Sequence, residues 1–302
     1  MKPASFAYVR PGTVEDSLIE LGRDGAKVLA GGQSLVPVLA MRLGRPSTLV
    51  DLNAVPELRQ LSGGRGYIKV GAMVRQRQVQ YDALSAKVPL LRLALPWVGH
   101  REIRSRGTVC GSLAHADPAA ELPAVASCLD ATMTLRSSRG SREVAASDFF
   151  VGAMTTAMRP DELLAEVRFP VAAAGEGFGF GEFARRHGDF ALAGVAARVM
   201  TSGDGIDASI TPFGVSDRPA KVDVSAHLQA ALDQTGRLPS ELDLRRALAG
   251  SADEIAAEVV DTVGDAHASR AYRRQLLGAL LCREVSRAYL KSVHSEGEVS
   301  PT

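Results

Sequence analysis

The sequence predicts an α+β protein organised in two parts, and two observations lead to that prediction. The first 84 residues alternate short apolar strands with short helical stretches, which is typical of an α/β layer. Beyond a Gly- and Ala-rich stretch at residues 171–177, antiparallel strands come first and helical periodicity follows from His227. We therefore expect a domain boundary within residues 171–177.

Local signals at the ends of segments define the elements of the first part. A strand comes first, and Thr13 is a suitable N-cap for a helix that ends at Gly22. The next predicted elements are a strand in AKVLAGG, a helix in LVPVLAMRL, strands in STLVDLN and YIKV, and a helix over Gln78–Leu84. This alternation places the pair Gly31–Gly32 directly after a strand.

The rest of the chain is predicted in the same way. VPLLRLALPWVGHREIRSRG is helical with a break near Pro96, TVCGSLAHADP is a loop, AELPAVASCL is a helix, and ATMTLRSS and DELLAEVRFP contain strands. VAAAGEGFGFGEF is predicted to be a linker or the entry to a hairpin. The second part then has strands joined by a turn at residues 203–205, three short helices and a long helix from Ser269.

Charge and composition exclude several classes of function. The 302 residues carry a net charge of +1 without a long basic block, so we expect neither nucleic acid nor an anionic membrane surface as a partner. No window approaches the apolar length of a membrane span, and the N-terminus lacks a signal-peptide core, so the expected compartment is the cytoplasm. The three cysteines lack C-x-x-C spacing, which predicts no metal or iron–sulfur site and no disulfide framework.

Two segments rich in small residues are candidates for phosphate binding. Glycine adopts positive φ and lets a ligand approach the backbone, and consecutive N–H groups can form a concave anion site. The first segment is Gly31-Gly32-Gln33-Ser34, and the second, GTVCGSLAHADPAAELP, has hydroxyl donors at Thr108 and Ser112. An ordinary turn explains either segment more simply when it is taken alone. Two such loops together could grip a diphosphate from both sides.

Taken together, these segments resemble the signature loops of a known family. AGGQSLVPVLAMRL and IRSRGTVCGSLAHADPAAELPA are similar to the two loops of the FAD-binding medium subunit of molybdenum hydroxylases, the carbon monoxide dehydrogenase/xanthine dehydrogenase group. STLVDLNAVPEL, IKVGAMVRQ, FFVGAMTTAMRPDELLAEVRFP and FARRHGDFALAGVAARV also match that family in the expected order. The resemblance extends from residue 1 to about residue 290.

The resemblance implies a fold and a division into domains. It implies an FAD-binding domain of the vanillyl-alcohol oxidase (PCMH) type, in two α/β subdomains, over residues 1–172. A C-terminal domain with a three-stranded antiparallel sheet and helices would occupy residues 176–287, and residues 288–302 would form a flexible tail.

The resemblance also implies a set of FAD-binding residues, with no catalytic and no metal-binding residue in this chain. The set comprises Ala30, Gly31, Gly32, Gln33, Ser34, Leu35, Thr108, Val109, Cys110, Gly111, Ser112, Glu121, Leu164 and Phe190. The two loops would bind the pyrophosphate, Glu121 would lie near the ribose, Leu164 would border the cofactor, and Phe190 would lie beside the isoalloxazine ring. Cys110 departs from the Gly-Gly pair usual in the family, and we predict that it does not attach flavin covalently.

The implied function is electron transfer within a larger complex. A large subunit with a molybdopterin cofactor would oxidise the substrate, and a small subunit with two [2Fe–2S] clusters would pass electrons to FAD in this chain and on to an external acceptor. With these two partners the chain would form a heterotrimer, commonly doubled to a dimer of heterotrimers. The surface that the partners cover would then be an apolar face exposed on the isolated chain. Similar complexes oxidise carbon monoxide, purines, other N-heteroaromatics or aldehydes, and the resemblance does not distinguish among these substrates.

Two alternatives stay open at the level of the sequence. The first is a stand-alone flavin oxidoreductase of the vanillyl-alcohol oxidase fold, which would need a substrate base that the C-terminal half does not convincingly provide. The second is an FAD-free scaffold subunit, and Cys110 is the feature that favours it.

Overall fold

The computed structural model describes residues 2–203 and 205–297. Asp204 of the predicted turn and residues 298–302 of the predicted tail lie outside the described residues. The helices are α1 (Val14–Leu21), α2 (Leu35–Ala40), α3 (Gln76–Tyr81), α4 (Pro89–Ala94), α5 (Arg101–Arg106), α6 (Val109–His115), α7 (Glu121–Cys128), α8 (Ala146–Phe149), α9 (Ser225–Thr235), α10 (Glu241–Ala247), α11 (Ala249–Val259) and α12 (Arg270–Gly297). The strands are β1 (Ala7–Val9), β2 (Ala26–Leu29), β3 (Thr48–Asp51), β4 (Leu61–Gly64), β5 (Tyr67–Gly71), β6 (Thr132–Ser137), β7 (Gly140–Ala145), β8 (Phe150–Gly152), β9 (Thr155–Thr156), β10 (Leu163–Pro170), β11 (Glu176–Phe183), β12 (Ala193–Ser202), β13 (Gly205–Phe213) and β14 (Val222–Asp223).

The chain forms two compact units, each built from several segments. Unit 1 comprises residues 2–87, His100–Asp117 and Asp130–Pro170, and unit 2 comprises Val88–Gly99, Pro118–Leu129 and the described residues from Val171 onward. The two short segments belong to unit 2 because α4 packs against β11, and α7 packs against β12 and β13. Long-range packing of this kind leaves no local signal in the sequence, so a division into consecutive domains does not capture it.

Unit 1 contains a small parallel sheet and a larger antiparallel sheet. The parallel sheet has the order β1-β3-β2, and Val50 in its centre pairs with Val9 on one side and Val28 on the other. Helix α1 begins at the predicted N-cap Thr13, whose hydroxyl accepts a hydrogen bond from the Asp16 amide at 3.1 Å. The antiparallel sheet has the order β4-β5-β10-β6-β7.

Unit 2 is an antiparallel sheet with helices packed against it. The strand order is β11-β12-β13-β14, so the two-residue strand β14 adds a fourth member to the three strands expected. The C-terminal helices α9 to α12 follow the sheet, as the periodicity predicted. Alanine, valine and leucine side chains of β12, β13 and these helices form one buried apolar cluster.

The glycine-rich stretch GFGFGEF is part of strand β11, which pairs antiparallel with the next strand, β12; the predicted hairpin entry is therefore confirmed, and the alternative of a linker is wrong from residue 176 onward. Phe178 and Phe180 are buried on one face of β11. The alternating glycines lie on the other face, where a Cβ on Gly177 would be 1.9 Å from the carbonyl oxygen of Ala288 in α12. The glycines therefore allow the backbone of the strand to approach the backbone of the helix.

Three other segments differ from the sequence prediction. Helix α3 begins two residues before Gln78, and the predicted loop TVCGSLAHADP contains helix α6. Helix α12 continues through residue 288, where the predicted tail begins, to Gly297. Helix α6 buries Val109, Cys110 and Leu113, and tertiary packing of this kind stabilises helices that local propensity does not predict.

None of the helices in the described ranges has both the length and the apolar character needed to cross a membrane.

Candidate cofactor-binding site

The first loop, Ala30–Leu35, connects β2 to α2 and has features that glycine alone provides easily. Gly32 has a φ of +77°, in the left-handed region. Ser34 at the N-cap of α2 makes no capping hydrogen bond within the described residues. Nor does any described residue accept a hydrogen bond from the main-chain N–H groups of Gly32, Gln33 and Ser34. The first loop thus presents a run of backbone donors, the chemistry that an anionic group needs.

The second loop, Thr108–Ser112, is the first turn of α6. The Thr108 hydroxyl accepts a hydrogen bond from the Gly111 amide at 3.0 Å, and the Thr108 carbonyl accepts one from the Ser112 amide at 3.2 Å. The segment before it is held by the start of α3, since the Gln76 amide donates to the Gly107 carbonyl at 2.9 Å. This turn is a capped helix start, not the irregular loop expected.

The two loops lie against each other in unit 1. A Cβ on Gly31 would be 2.4 Å from the carbonyl oxygen of Arg106 and 2.8 Å from the Cα of Gly107, so no side chain fits there. A Cβ on Gly111 would be 3.9 Å from the Cβ of Ala30. Some seventy residues apart in sequence, the two small-residue segments therefore form one continuous backbone surface.

Two residues that the sequence analysis missed hold this arrangement. The Asn53 side-chain amide donates to the Ala30 carbonyl at 3.2 Å, and the Arg75 guanidinium donates to Asn53 Oδ1 at 2.5 Å and to the Arg106 carbonyl. Burial, followed by the nearby charges of Arg106 and Arg59, lowers the pKa of Arg75. The position of Asn53 just past the carboxyl end of β3 is the signal that could have found it.

Cys110 points away from the backbone surface of the second loop. Its side chain is 2% exposed, and Sγ lies 3.4 Å from the Val70 carbonyl oxygen, to which the thiol donates. Burial is the main cause that raises the pKa of the Cys110 thiol. The thiol is thus neutral and shielded, and a Cβ at this helical position does not obstruct the loop.

Leu164, the remaining predicted contact in unit 1, lies in β10. Its side chain is buried, and it pairs with Leu135 of β6 in the antiparallel sheet. Strand β10 also packs against α6, which carries the second loop.

Glu121 and Phe190, the other two predicted contacts, belong to unit 2. Glu121 is buried at the first position of α7, whereas the Phe190 side chain is 70% exposed. A second buried carboxyl group in unit 2 interacts with Glu121. Glu182 of β11 is buried, and its Oε2 has no hydrogen-bond partner among the described residues. Burial, and then the charge of Glu121, raises the pKa of Glu182 to about 8.

The residues in unit 1 fit a cofactor that contains a diphosphate. In the first loop, backbone donors with no acceptor among the described residues adjoin the second turn, and the side chain of Cys110 in that turn points into the core. His115 is partly buried at the end of α6, and burial lowers its pKa. In the part of the chain that the structure describes, no group of three His, Cys, Asp or Glu side chains is placed to hold a metal ion.

Comparison with known proteins gives a consistent picture. Residues 4–172 match the family described as "FAD binding domain in molybdopterin dehydrogenase". The chain is 38% identical to the 6-hydroxypseudooxynicotine dehydrogenase complex subunit alpha of Paenarthrobacter nicotinovorans, over 95% of this chain and 96% of that relative. It is 36% identical to the carbon monoxide dehydrogenase medium chain of Afipia carboxidovorans, over 95% of this chain and 98% of the relative.

Solved structures extend the similarity to the fold. A chain of quinoline 2-oxidoreductase from Pseudomonas putida 86 superposes with a TM-score of 0.85 at 36% identity, covering 97% of this chain and 99% of that one. Sequence family, relatives and fold agree with the geometry of the two loops. The chain therefore belongs to the family of FAD-binding domains of molybdopterin dehydrogenases.

Proposed function

We propose that this chain is the FAD-carrying medium subunit of a molybdenum hydroxylase complex. It would receive electrons from the [2Fe–2S] clusters of a small subunit and pass them to an external acceptor. The observation that carries the proposal is the adjacency of the first and second loops, because it creates one backbone surface suited to a diphosphate. Family membership supplies the identity of the cofactor.

The first and second loops would hold the pyrophosphate through main-chain N–H groups, with the hydroxyl groups of Ser34 and Ser112 as further donors. Asn53 and Arg75 hold the two loops in register and so act on the cofactor indirectly. FAD, when bound, supplies the two-electron and one-electron redox chemistry that no side chain provides.

We propose that Glu121 lies near the ribose of FAD, that Leu164 borders the cofactor, and that Phe190 lies beside the isoalloxazine ring. The Phe190 side chain is 70% exposed, so its aromatic ring is accessible to a ligand. A carboxyl group at Glu121 suits hydrogen bonding to ribose hydroxyls.

Exposed apolar residues on unit 1 support a place in a larger assembly. In and after α2, Leu39 is buried, whereas Val36, Met41 and Leu43 are 47–75% exposed. An apolar helix surface of this kind is expected where another subunit covers it. We propose a large molybdopterin subunit and a small iron–sulfur subunit as partners, arranged as a dimer of heterotrimers in the cytoplasm.

We also propose the finer architecture that the resemblance implies. The FAD-binding part would be of the vanillyl-alcohol oxidase type in two α/β subdomains, with boundaries near residues 172 and 176. Of the alternatives, the FAD-free scaffold loses its main support, because Cys110 is turned into the core. The stand-alone flavin oxidoreductase is less well supported than a subunit, given the relatives named as a complex subunit and a medium chain.

The test is a flavin-depleted complex. The chain is co-expressed with its partner subunits, the complex is purified, and FAD is removed and then restored. We expect substrate to reduce the iron–sulfur clusters with or without FAD, while reduction of an artificial acceptor such as a tetrazolium dye requires FAD. An isolated chain that is an active dehydrogenase without any partner would contradict the proposal.

A further inference from the structure

A buried arginine near the start of α12 connects three separate segments of unit 2. Arg273 is 6% exposed. Its Nη1 donates to the carbonyl oxygens of Leu192, at 2.6 Å, and of Gly214, at 2.7 Å. Its Nη2 donates to Asp265 Oδ2 at 2.7 Å. One guanidinium thus fixes two loop carbonyls and one carboxylate.

The first of these contacts fixes the segment that carries Phe190. Leu192 lies two residues after Phe190, and its amide donates to the Phe183 carbonyl at the end of β11, at 2.8 Å. Ala191 and Leu192 are buried while Phe190 is exposed. Both the N–H and the C=O group of Leu192 are therefore hydrogen-bonded, which anchors the segment on the C-terminal side of Phe190. The Phe190 ring itself stays exposed.

The second contact leads to the segment that carries Glu121. The Gly214 amide donates to the Pro118 carbonyl at 2.8 Å, and Glu121 begins α7 three residues later. Gly214 has a φ of +74°, and a Cβ there would be 2.7 Å from the Ala191 carbonyl oxygen. The segments around residues 191 and 214 therefore touch, with Arg273 bonded to both.

The third contact orients the arginine itself. Asp265 Oδ1 accepts hydrogen bonds from the amides of His267, at 2.8 Å, and Ala268, at 3.0 Å, so its carboxylate is fixed before it meets Arg273. Planar guanidinium groups can serve three acceptors in fixed directions, whereas a lysine ammonium cannot match that geometry. The arrangement is specific for arginine.

We infer that Arg273 is a positioning residue for FAD: it sets the placement of both Phe190 and Glu121 through the Leu192 and Gly214 carbonyls. The inference rests on the proposed function, since it takes Phe190 and Glu121 as flavin contacts. The bonds of Arg273 to these two carbonyls transmit its effect on the cofactor through the backbone.

The experiment compares substitutions of Arg273 with substitutions of Arg198, a matched control. Arg198 is a partly buried arginine of β12 in the same unit, paired with Glu176, and is not part of the FAD-binding set. Apoproteins of the wild type, Arg273→Gln, Arg273→Lys, Arg198→Gln and Arg198→Lys are titrated with FAD. The readouts are the FAD dissociation constant, the visible absorption spectrum of bound flavin and the urea midpoint of the apoprotein.

For Arg273→Gln we expect at least a tenfold weaker FAD affinity and a shifted flavin spectrum. The FAD affinity of Arg273→Lys should lie between that of Arg273→Gln and that of the wild type. Arg198→Gln should lower the urea midpoint while its FAD affinity stays within threefold of the wild type. If Arg273→Gln does not fold, the Arg273→Lys and Arg198→Lys pair carries the comparison.

Two results would overturn the inference, and they are distinguishable from failure of the proposed function. An Arg273 variant with a lowered urea midpoint but unchanged FAD affinity and flavin spectrum would make the residue purely structural. Equal losses of affinity in the Arg273 and Arg198 variants would have the same meaning. A wild-type apoprotein that binds no FAD would instead remove the proposed function.

Discussion

Glycine has different structural roles in two glycine-rich segments of this chain. In the first loop, Gly31 and Gly32 bring the second loop into contact, and backbone N–H groups there have no acceptor in the part of the chain that the structure describes. In β11, Gly177, Gly179 and Gly181 have their backbone groups in the sheet and make room for helix α12. The first segment is suited to a ligand, and the second is suited to packing.

The comparison shows that a count of glycines does not locate a binding site. Both segments follow an apolar stretch and both look like loops in the sequence. What separates them is alternation: in GFGFGEF the glycines recur every second residue with Phe178 and Phe180 between them, which is the period of a strand. Gly31 and Gly32, by contrast, are consecutive and lie in the turn between β2 and α2.

The largest expected effect is on packing, at Gly177. A Cβ there would meet the Ala288 carbonyl oxygen at 1.9 Å and the Ser292 amide nitrogen at 2.4 Å, both backbone atoms of α12 that cannot move aside. We expect Gly177→Ala to lower the free energy of unfolding by about 3 kcal/mol or more, measured by urea denaturation.

The control for that prediction is Gly250 in α11, where a Cβ would meet nothing within 4 Å. Gly250→Ala should raise stability by about 0.5–1 kcal/mol. Equal stability changes in the two variants would mean that close approach of α12 does not explain the glycines of β11.

The next effect tests Glu182 in the same strand β11. Its pKa is raised to about 8 in the folded chain, whereas its ordinary value is 4.5. The unfolded chain therefore loses this proton first, and wild-type stability should fall as the pH rises from 4.5 through about 8.

Glu182→Gln removes that proton equilibrium. Its stability relative to the wild type should therefore increase over the same pH interval, by at most about 1.4 kcal/mol for each pH unit. Urea denaturation at several pH values measures the difference. A difference that is independent of pH would show that the carboxyl group is not protonated in the folded chain.

A smaller effect, on ligand binding, is expected at Gly31. Gly31→Ala would push the first loop away from Arg106 and Gly107, since the added Cβ lies 2.4 Å from a carbonyl oxygen. We expect the FAD dissociation constant to rise at least tenfold, or about 1.4 kcal/mol. Gly12→Ala is the control, because nothing lies within 4 Å of its Cβ. Unchanged FAD affinity in Gly31→Ala would separate the loop contact from cofactor binding.

The smallest effect is expected at Cys110. Because the thiol is buried and donates to Val70, Cys110→Ala should cost about 1 kcal/mol of stability and leave FAD affinity within threefold of the wild type. FAD should be released from the wild type by acid denaturation. Flavin that remains attached to the denatured chain would contradict the buried, neutral thiol.

The sequence predicted the secondary structure around the first loop better than that of the second loop. The strand–turn–helix pattern around Gly31 is local, and the structure has those elements. The helical start at Thr108 was missed because a capped turn of small residues has the composition of a loop, and the inward direction of Cys110 depends on β5, forty residues away.

The remaining differences come from long-range packing. Val88–Gly99 and Pro118–Leu129 join unit 2 through contacts with β11, β12 and β13, which no local pattern encodes. The roles of Asn53, Arg75 and Arg273 likewise depend on partners distant in sequence. Such residues are recognised from their hydrogen bonds once the chain is folded.

The central claim is that two backbone turns together bind the diphosphate of FAD. Titration of the apoprotein with FAD and with riboflavin, which has the same ring system but no phosphate, tests it most directly. We predict saturation with a single FAD per chain and at least hundredfold weaker binding of riboflavin, or about 2.7 kcal/mol. Equal affinity for the two compounds, or no binding of FAD, would contradict the claim.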